Sequence, residues 1–238
     1  MYRYANPKLF LDTTRPFEPL LWAVAMLLVA WGLYLALVDS PPDYQQGESV
    51  RIMYVHVPAA WMAMFIYGVI AVASAVSLIF RHPIADVAAK SAAPIGAVFT
   101  ALALLTGSLW GKPMWGTWWE WDARTTSVFV QFFLYLGYIA LWQAIEDPVR
   151  AGRAAAVLAL TGAVNLPIIK FSVDWWRTLH QPASVFRMDG PTIHGDMLWP
   201  LFVMALGFTV LFFALLLVAL RTEVMTLRLR ALRLQAGA

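Results

Sequence analysis

The chain has no cysteine. Disulfides, thiolate metal sites, thiol nucleophiles and any Cys-x-x-Cys-His motif are therefore excluded. Charge is scarce as well. Asp, Glu, Lys and Arg make up 13% of the 238 residues, where a soluble domain carries about a quarter. There is no internal repeat and no low-complexity tract. No short apolar leader with a small-residue cleavage site opens the chain; the first apolar run, 20–38, is long enough to span a bilayer and is expected to be retained. What replaces the missing charge is apolar surface, 61% of residues with a mean hydropathy of +0.67. It is concentrated in long runs, which predicts a multi-spanning membrane protein. The pI near 9.3 raises nucleic acid as a partner. The basic residues sit at the ends of apolar runs, however, which is topology control, so no nucleic acid is expected.

The apolar runs predict an all-α integral membrane bundle of six transmembrane helices forming a single membrane domain, 1–238. Each span is about 20 residues, enough to cross at 1.5 Å per residue. The expected spans are 19–38, 58–80, 92–110, 125–145, 152–171 and 198–220. Long connectors, 39–57, 111–124 and 172–197, alternate with short ones, 81–91 and 146–151. Charge sets the orientation. With the N-terminus inside, eleven basic residues (Arg3, Lys8, Arg15, Arg81, Lys90, Arg150, Arg153, Arg221, Arg228, Arg230 and Arg233) lie in the cytoplasm. Six (Arg51, Lys112, Arg124, Lys170, Arg177 and Arg187) lie outside. The bias predicts both termini in the cytoplasm and the long loops on the periplasmic side. The tail 221–233 reads as a basic amphipathic helix anchored on anionic headgroups of the membrane lipid. Small residues inside the spans, such as Ala71, Ala73, Gly96 and Ala97, allow close helix packing in one bundle.

One stretch does not suit a membrane core. Trp115-Gly116-Thr117-Trp118-Trp119-Glu120-Trp121-Asp122 packs four tryptophans and two acids into eight residues. Indole rings can bury their faces at the water–lipid boundary and still donate N–H bonds. The stretch predicts a short interfacial helix or an irregular aromatic shelf, able to cover a large flat ligand. On a helix Trp115, Trp118, Trp119 and Asp122 would share one face; Gly111 and Pro113 argue for a loop before it.

Four histidines are present, and three fall on the shelf side. His56 lies at the entry to the second span, His180 just past the fifth, and His194 in the same loop as His180. His82 lies inside, between Arg81 and Pro83. Two neutral imidazoles can fill both axial positions of a heme iron, and the porphyrin would supply the disc that the shelf covers. Lys112, Arg124, Arg51 and Arg177 are candidates to meet the two propionates by charge-assisted bonds. Simpler readings stand beside these. Clustered Trp at a span end is often a depth-setting aromatic belt, interfacial Arg and Lys often only snorkel, and Asp122 is either a helix cap or an acid turned toward a partner.

Residues 107–124, in which Gly107-Ser108-Leu109-Trp110-Gly111-Lys112-Pro113-Met114 leads into the tryptophan cluster and Ala123-Arg124, resemble the "WWD" signature of heme-handling proteins of cytochrome c maturation. Tyr54-Val55-His56-Val57-Pro58-Ala59-Ala60, Asn165-Leu166-Pro167-Ile168-Ile169 and Leu179-His180-Gln181 resemble one branch, the heme exporter protein C (CcmC) family. The likeness covers about 43–181 and is weaker for the first helix, the region after Pro182 and the tail.

The resemblance implies a six-span protein of the bacterial inner membrane that holds heme b at the periplasmic face and delivers it to a periplasmic heme chaperone, CcmE. By motif position His56 and His180 are the implied axial ligands, with Trp115, Trp118, Trp119 and Trp121 over the macrocycle. His194 has no counterpart in the motif. The implied partners are CcmE, the ATP-binding cassette subunits CcmA and CcmB, and the small membrane protein CcmD. The protein is then a binding and transfer protein rather than an enzyme. Two rival readings are a WWD-type lyase acting directly on an apocytochrome, usually larger with more spans, and a heme transporter. A translocation path would favour polar residues at mid-membrane, where Thr106, Asn165 and Thr209 are the nearest candidates.

Overall fold

Extended, capping and left-handed residues decide where the helices begin and end. The computed structural model describes residues 7–236. It has eight α-helices and no strand among the described residues: α1 (Pro7–Thr14), α2 (Phe17–Tyr34), α3 (Met53–Phe80), α4 (Pro83–Trp115), α5 (Ala123–Ala144), α6 (Pro148–Gly162), α7 (Asn165–Trp175) and α8 (Gly195–Ala236). Six stretches are long and apolar enough to cross a membrane, with α6 and α7 making up one of them. The protein is a multi-pass α-helical membrane bundle. Arg81 takes a left-handed φ of 51° and ends α3. His82 is extended and α4 starts at Pro83, where a missing N–H costs nothing. Asp147 caps α6 by accepting from the Val149 N–H at 2.8 Å.

The helices depart from the expected spans in several places, and α4 begins at Pro83, within the expected connector 81–91. A 3-10 turn (Glu48–Ile52) leads into α3 at Met53, so His56 sits within a helix rather than in a loop before one. Pro58 lies inside that helix. Tyr54, one turn upstream, is fully buried and its phenol is paired with the Ser40 hydroxyl. Helix α4 continues through Pro113 to Trp115, and Gly116 (φ 77°) ends it. The shelf connector is therefore only the seven residues 116–122, and it is irregular. The fifth span is two helices, broken at Ala163–Val164. The cause is Pro167, whose ring clashes with the carbonyl four residues back, that of Ala163. That carbonyl instead accepts from Leu166 N–H at 3.1 Å. Finally, the basic tail is not a separate surface helix. It continues α8 without interruption, 42 residues in all, about 63 Å at 1.5 Å per residue, against a hydrocarbon core of about 30 Å. No glycine or proline interrupts 208–236.

Helix α3 packs against α4, α6 and α8; α2 packs along α8; α5 packs against α4, α6 and α7. Close approach depends on small residues. Tyr135 of α5 is fully buried, donates to the Ala63 carbonyl at 2.7 Å, and lies where a side chain on Gly96 would be. Away from the shelf, ion pairs tie the helix ends: Arg221 Nε to Glu18 Oε2 at 2.9 Å and Lys90 Nζ to Glu223 Oε1 at 2.6 Å. Arg221 also donates to Leu11 O and Thr14 Oγ1, both at 2.7 Å, which fixes α1. Gln131, a polar side chain fully buried on α5, accepts at Oε1 from Asn165 Nδ2 at 3.1 Å.

Gly96→Ala places a methyl group inside the Tyr135 ring. The expected cost is about 1–3 kcal/mol, read as a lower unfolding temperature in detergent. An unchanged midpoint would show that α4 and α5 part more easily than this packing implies.

Candidate functional site

Three connectors close over one end of the bundle and leave a cavity of about 900 Å³, near the upper end of small-molecule sites. Helices α3, α4, α5, α7 and the start of α8 form its sides, and the segments 41–46, 118–120, 180–186 and 192–194 form its mouth. His56, His180 and His194 all line it.

His56 points from α3 toward α4. Its Nδ1 is 3.0 Å from the Ala103 carbonyl and 3.1 Å from Thr106 Oγ1. A carbonyl oxygen only accepts, so Nδ1 carries the proton and the Nε2 lone pair is free. Thr106 Oγ1 itself donates to Leu102 O at 2.7 Å. Space for the ring comes from Gly107, where a Cβ would stand 2.9 Å from His56 Cε1. Trp110, next along the same face of α4, meets the imidazole edge-on at 5.7 Å and 72°. Its N–H donates to Gln46 Oε1 at 2.9 Å, fastening the 41–46 segment over the cavity.

His180 repeats the pattern with a charge behind it. Its Nδ1 is 2.8 Å from Asp122 Oδ2. The other oxygen of Asp122 accepts from the Thr125 N–H at 2.7 Å and caps α5. Burial pushes the His180 imidazole below its ordinary value, and the Asp122 carboxylate only partly restores it. For Asp122, burial acts upward, but the Thr125 N–H and His180 outweigh it and the carboxyl stays below its usual range. The pair is thus a neutral imidazole donating to a charged carboxylate, with Nε2 unprotonated. A carboxylate behind the far nitrogen is the arrangement that orients metal-ligating histidines. Trp115 stands at the ring edge, 4.8 Å away at 63°.

The aromatic stretch divides into two parts. Trp115, Trp118 and Trp119 line the cavity. Trp118 is at the rim, its carbonyl held by Ser108 Oγ at 2.6 Å, with Lys112 Nζ 5.9 Å from its ring centre. Trp119 packs edge-on against Trp121 at 5.3 Å and Phe129 at 5.5 Å. Trp121 leans on Phe129 and is not part of the wall. Because 116–122 is irregular, the single helical face drawn from the sequence does not form.

The basic candidates also separate. Arg124 lines the cavity, its Nε donating to Ser172 Oγ at 2.7 Å and Nη2 to Lys170 O at 3.4 Å. Lys170 lines it too. Arg51 is outside the wall, committed to the Ala36 carbonyl at 2.6 Å and to Glu48. Lys112 donates to Gly116 O at 3.0 Å, and Arg177 is exposed; neither lines the cavity.

Sequence reasoning missed Trp110, Gly107 and Met114. With Ala103 they form one helical stripe at spacings of 4, 3 and 4 along the wall. The stripe was hidden because the span was expected to stop at 110. Among the described residues no three His, Asp or Glu side chains converge as a metal cage. A metal held here must bring its remaining ligands with it.

The family model described as heme exporter protein C matches residues 1–235. Heme exporter protein C of Bradyrhizobium diazoefficiens is 60% identical over 230 residues, covering 97% of this chain and 87% of that protein. The protein of the same name from Haemophilus influenzae is 45% identical over 225 residues, covering 94% and 92%. A ccmC-like mitochondrial protein of cytochrome c biosynthesis from Marchantia polymorpha is 44% identical over 203 residues, covering 85% and 86%.

An NMR titration of the imidazoles in detergent should find the His180 midpoint below 6.5. Asp122 raises that value, so Asp122→Asn, which keeps a good helix cap, should move it lower still. A midpoint above 6.5, or a rise in the variant, would reverse the assigned charge states. The linked stability follows the same sign. As pH falls below 6.5 the unfolded chain takes up the proton first, and the folded state loses stability.

Proposed function

The chain belongs to the heme exporter protein C family, and from that premise we propose that it holds heme b as cargo at the periplasmic face of the bacterial inner membrane and passes it to the periplasmic chaperone CcmE. The coarse role, heme handling in cytochrome c maturation, goes with the family. The finer one rests on a single observation. Two imidazoles lining one cavity each have Nδ1 tied to an acceptor, which leaves both Nε2 lone pairs for a metal.

His56 and His180 take the two axial positions of the iron, and the porphyrin supplies the four equatorial nitrogens. Trp115, Trp118 and Trp119 cover the disc. Arg124 meets a propionate, with Lys170 beside it; Trp121, Arg51, Lys112 and Arg177 act from outside the wall, on depth and loop shape. One vinyl edge stays open toward the mouth for the partner. The ATP-binding cassette subunits CcmA and CcmB and the small protein CcmD are the membrane partners, and the protein acts by binding and transfer rather than by catalysis. Both termini lie in the cytoplasm, as the basic residues require.

The transporter reading draws less support. Thr106 and Thr209 donate to their own helices, at 2.7 Å each, and Asn165 donates to Ser127 O at 2.9 Å. These bonds spend the mid-membrane polar groups on packing. The apocytochrome lyase reading has no observation in its favour beyond the shared tryptophan connector.

The purified chain loaded with hemin should give the absorption bands of low-spin iron with two imidazole ligands. His56→Ala should remove the helix-borne ligand and replace those bands with high-spin ones, and His180→Ala should weaken heme retention. Unchanged bands and heme content in both variants would end the axial assignment. Trp118→Ala with Trp119→Ala should leave the bundle folded and reduce capture of heme by CcmE; undiminished capture would remove the aromatic shelf from the transfer step.

A further inference from the structure

The same cavity has a third imidazole that the family motif does not use. His194 stands at the start of α8, its carbonyl accepting from Met197 N–H at 3.0 Å and Leu198 N–H at 3.1 Å. Its side chain lines the cavity at the mouth and is 73% exposed. Its Nδ1 accepts from the Asp196 N–H at 3.4 Å, with Asp196 Oδ2 also 3.4 Å away, and among the described residues no hydrogen bond engages Nε2. The arrangement differs from the His180–Asp122 pair: Nδ1 accepts here, so the neutral ring carries its proton on Nε2. The contacts of His56 and His180 are 2.8–3.1 Å and reach other helices or connectors. Those of His194 are longer and stay within its own turn. The cavity therefore has two fixed imidazoles and one free to turn.

We propose that His194 is a transfer ligand, which takes the cargo iron from His180 as heme leaves the cavity and hands it to His180 as heme enters. This rests on the reading of the cavity as a heme site and deepens it. The step is a ligand exchange. The His180 Nε2–Fe bond breaks, the His194 Nε2–Fe bond forms with the imidazole lone pair, and His56 keeps the opposite face. Iron keeps its oxidation state; the His194 ring proton leaves Nε2 for Nδ1, where Asp196 Oδ2, 3.4 Å away, accepts it.

Placement favours exchange over a permanent role. A heme iron has two axial positions, which the proposed resting site fills with His56 and His180, so His194 serves the iron in turn. His180 and His194 also lie on the same connector between α7 and α8, on the side where a partner would approach. A heme leaving a two-imidazole site must break an axial bond. Replacing that bond as it breaks lowers the barrier without loosening the resting complex.

The test uses the full chain in detergent, loaded with hemin and mixed with apomyoglobin as acceptor. His194→Ala should keep the resting low-spin spectrum and release heme about tenfold more slowly, the lower end of the change seen when metal-site contacts are removed. Free imidazole should restore the rate in His194→Ala, which a merely structural role for the residue would not permit. A release rate equal to wild type, or no rescue by imidazole, overturns the proposal. Loss of the low-spin spectrum in His194→Ala also overturns it, because His194 would then be a resting ligand. If the wild-type chain itself takes up no hemin, the heme-site reading fails instead.

Discussion

A ligating imidazole has to be neutral, unprotonated on the nitrogen that meets the metal, and held in one orientation. The hydrogen bond from His180 Nδ1 to Asp122 meets these conditions for a histidine carried on a connector. Asp122 does this while its other oxygen caps α5. Such a cap is worth about 1 kcal/mol and a hydrogen bond to a charged acceptor about 1.5–3 kcal/mol. One carboxylate thus joins the start of a membrane helix to a connector 58 residues further on. The helix fixes the acid, the acid fixes the ring, and the tryptophan connector that ends at Asp122 is fixed with them.

The broken fifth span serves the same end of the molecule. Had α6 run straight on, the chain would have left the membrane along the line of α6. The break at Ala163–Val164 gives α7 its own path beside α5. Asn165 secures it there by donating to Ser127 O and Gln131 Oε1. From that position Ser172 and the Lys170 carbonyl hold the Arg124 guanidinium at the cavity wall.

How much of this was legible in the sequence varied with the range of the force involved. The six apolar stretches were plain because hydrocarbon thickness sets a length that composition must satisfy. The tryptophan connector and the histidines were plain because their chemistry is out of place in lipid. Helix ends were not. Pro58 and Pro113 look like boundaries, yet each removes only one hydrogen bond, and the helices run on past them. Pro167 acts one turn upstream of its own position, so the break falls among residues that look unremarkable. Trp110 escaped notice for the same reason, since its role depends on α4 continuing to Trp115. The two roles of Asp122 were both foreseen as alternatives; that one carboxylate performs both needed coordinates, because its two oxygens face partners 3 and 58 residues away.

Holding and releasing a flat cargo place opposite demands on one cavity. Rigid walls favour affinity, and mobile parts favour exchange. The molecule meets them in different places. The α3–α4 wall is tight: Gly107 admits the His56 ring, Trp110 abuts it, and the imidazole is anchored to backbone. The mouth is built from connectors carrying exposed Trp118 and Phe186 and the half-free His194. His180 lies between the two regimes, on a connector but braced by Asp122. A ligand bound at the deep wall and loosened first at the mouth leaves in one direction only, toward the side from which a partner can reach it. On the proposed reading, direction comes from an uneven distribution of hydrogen bonds among the three imidazoles.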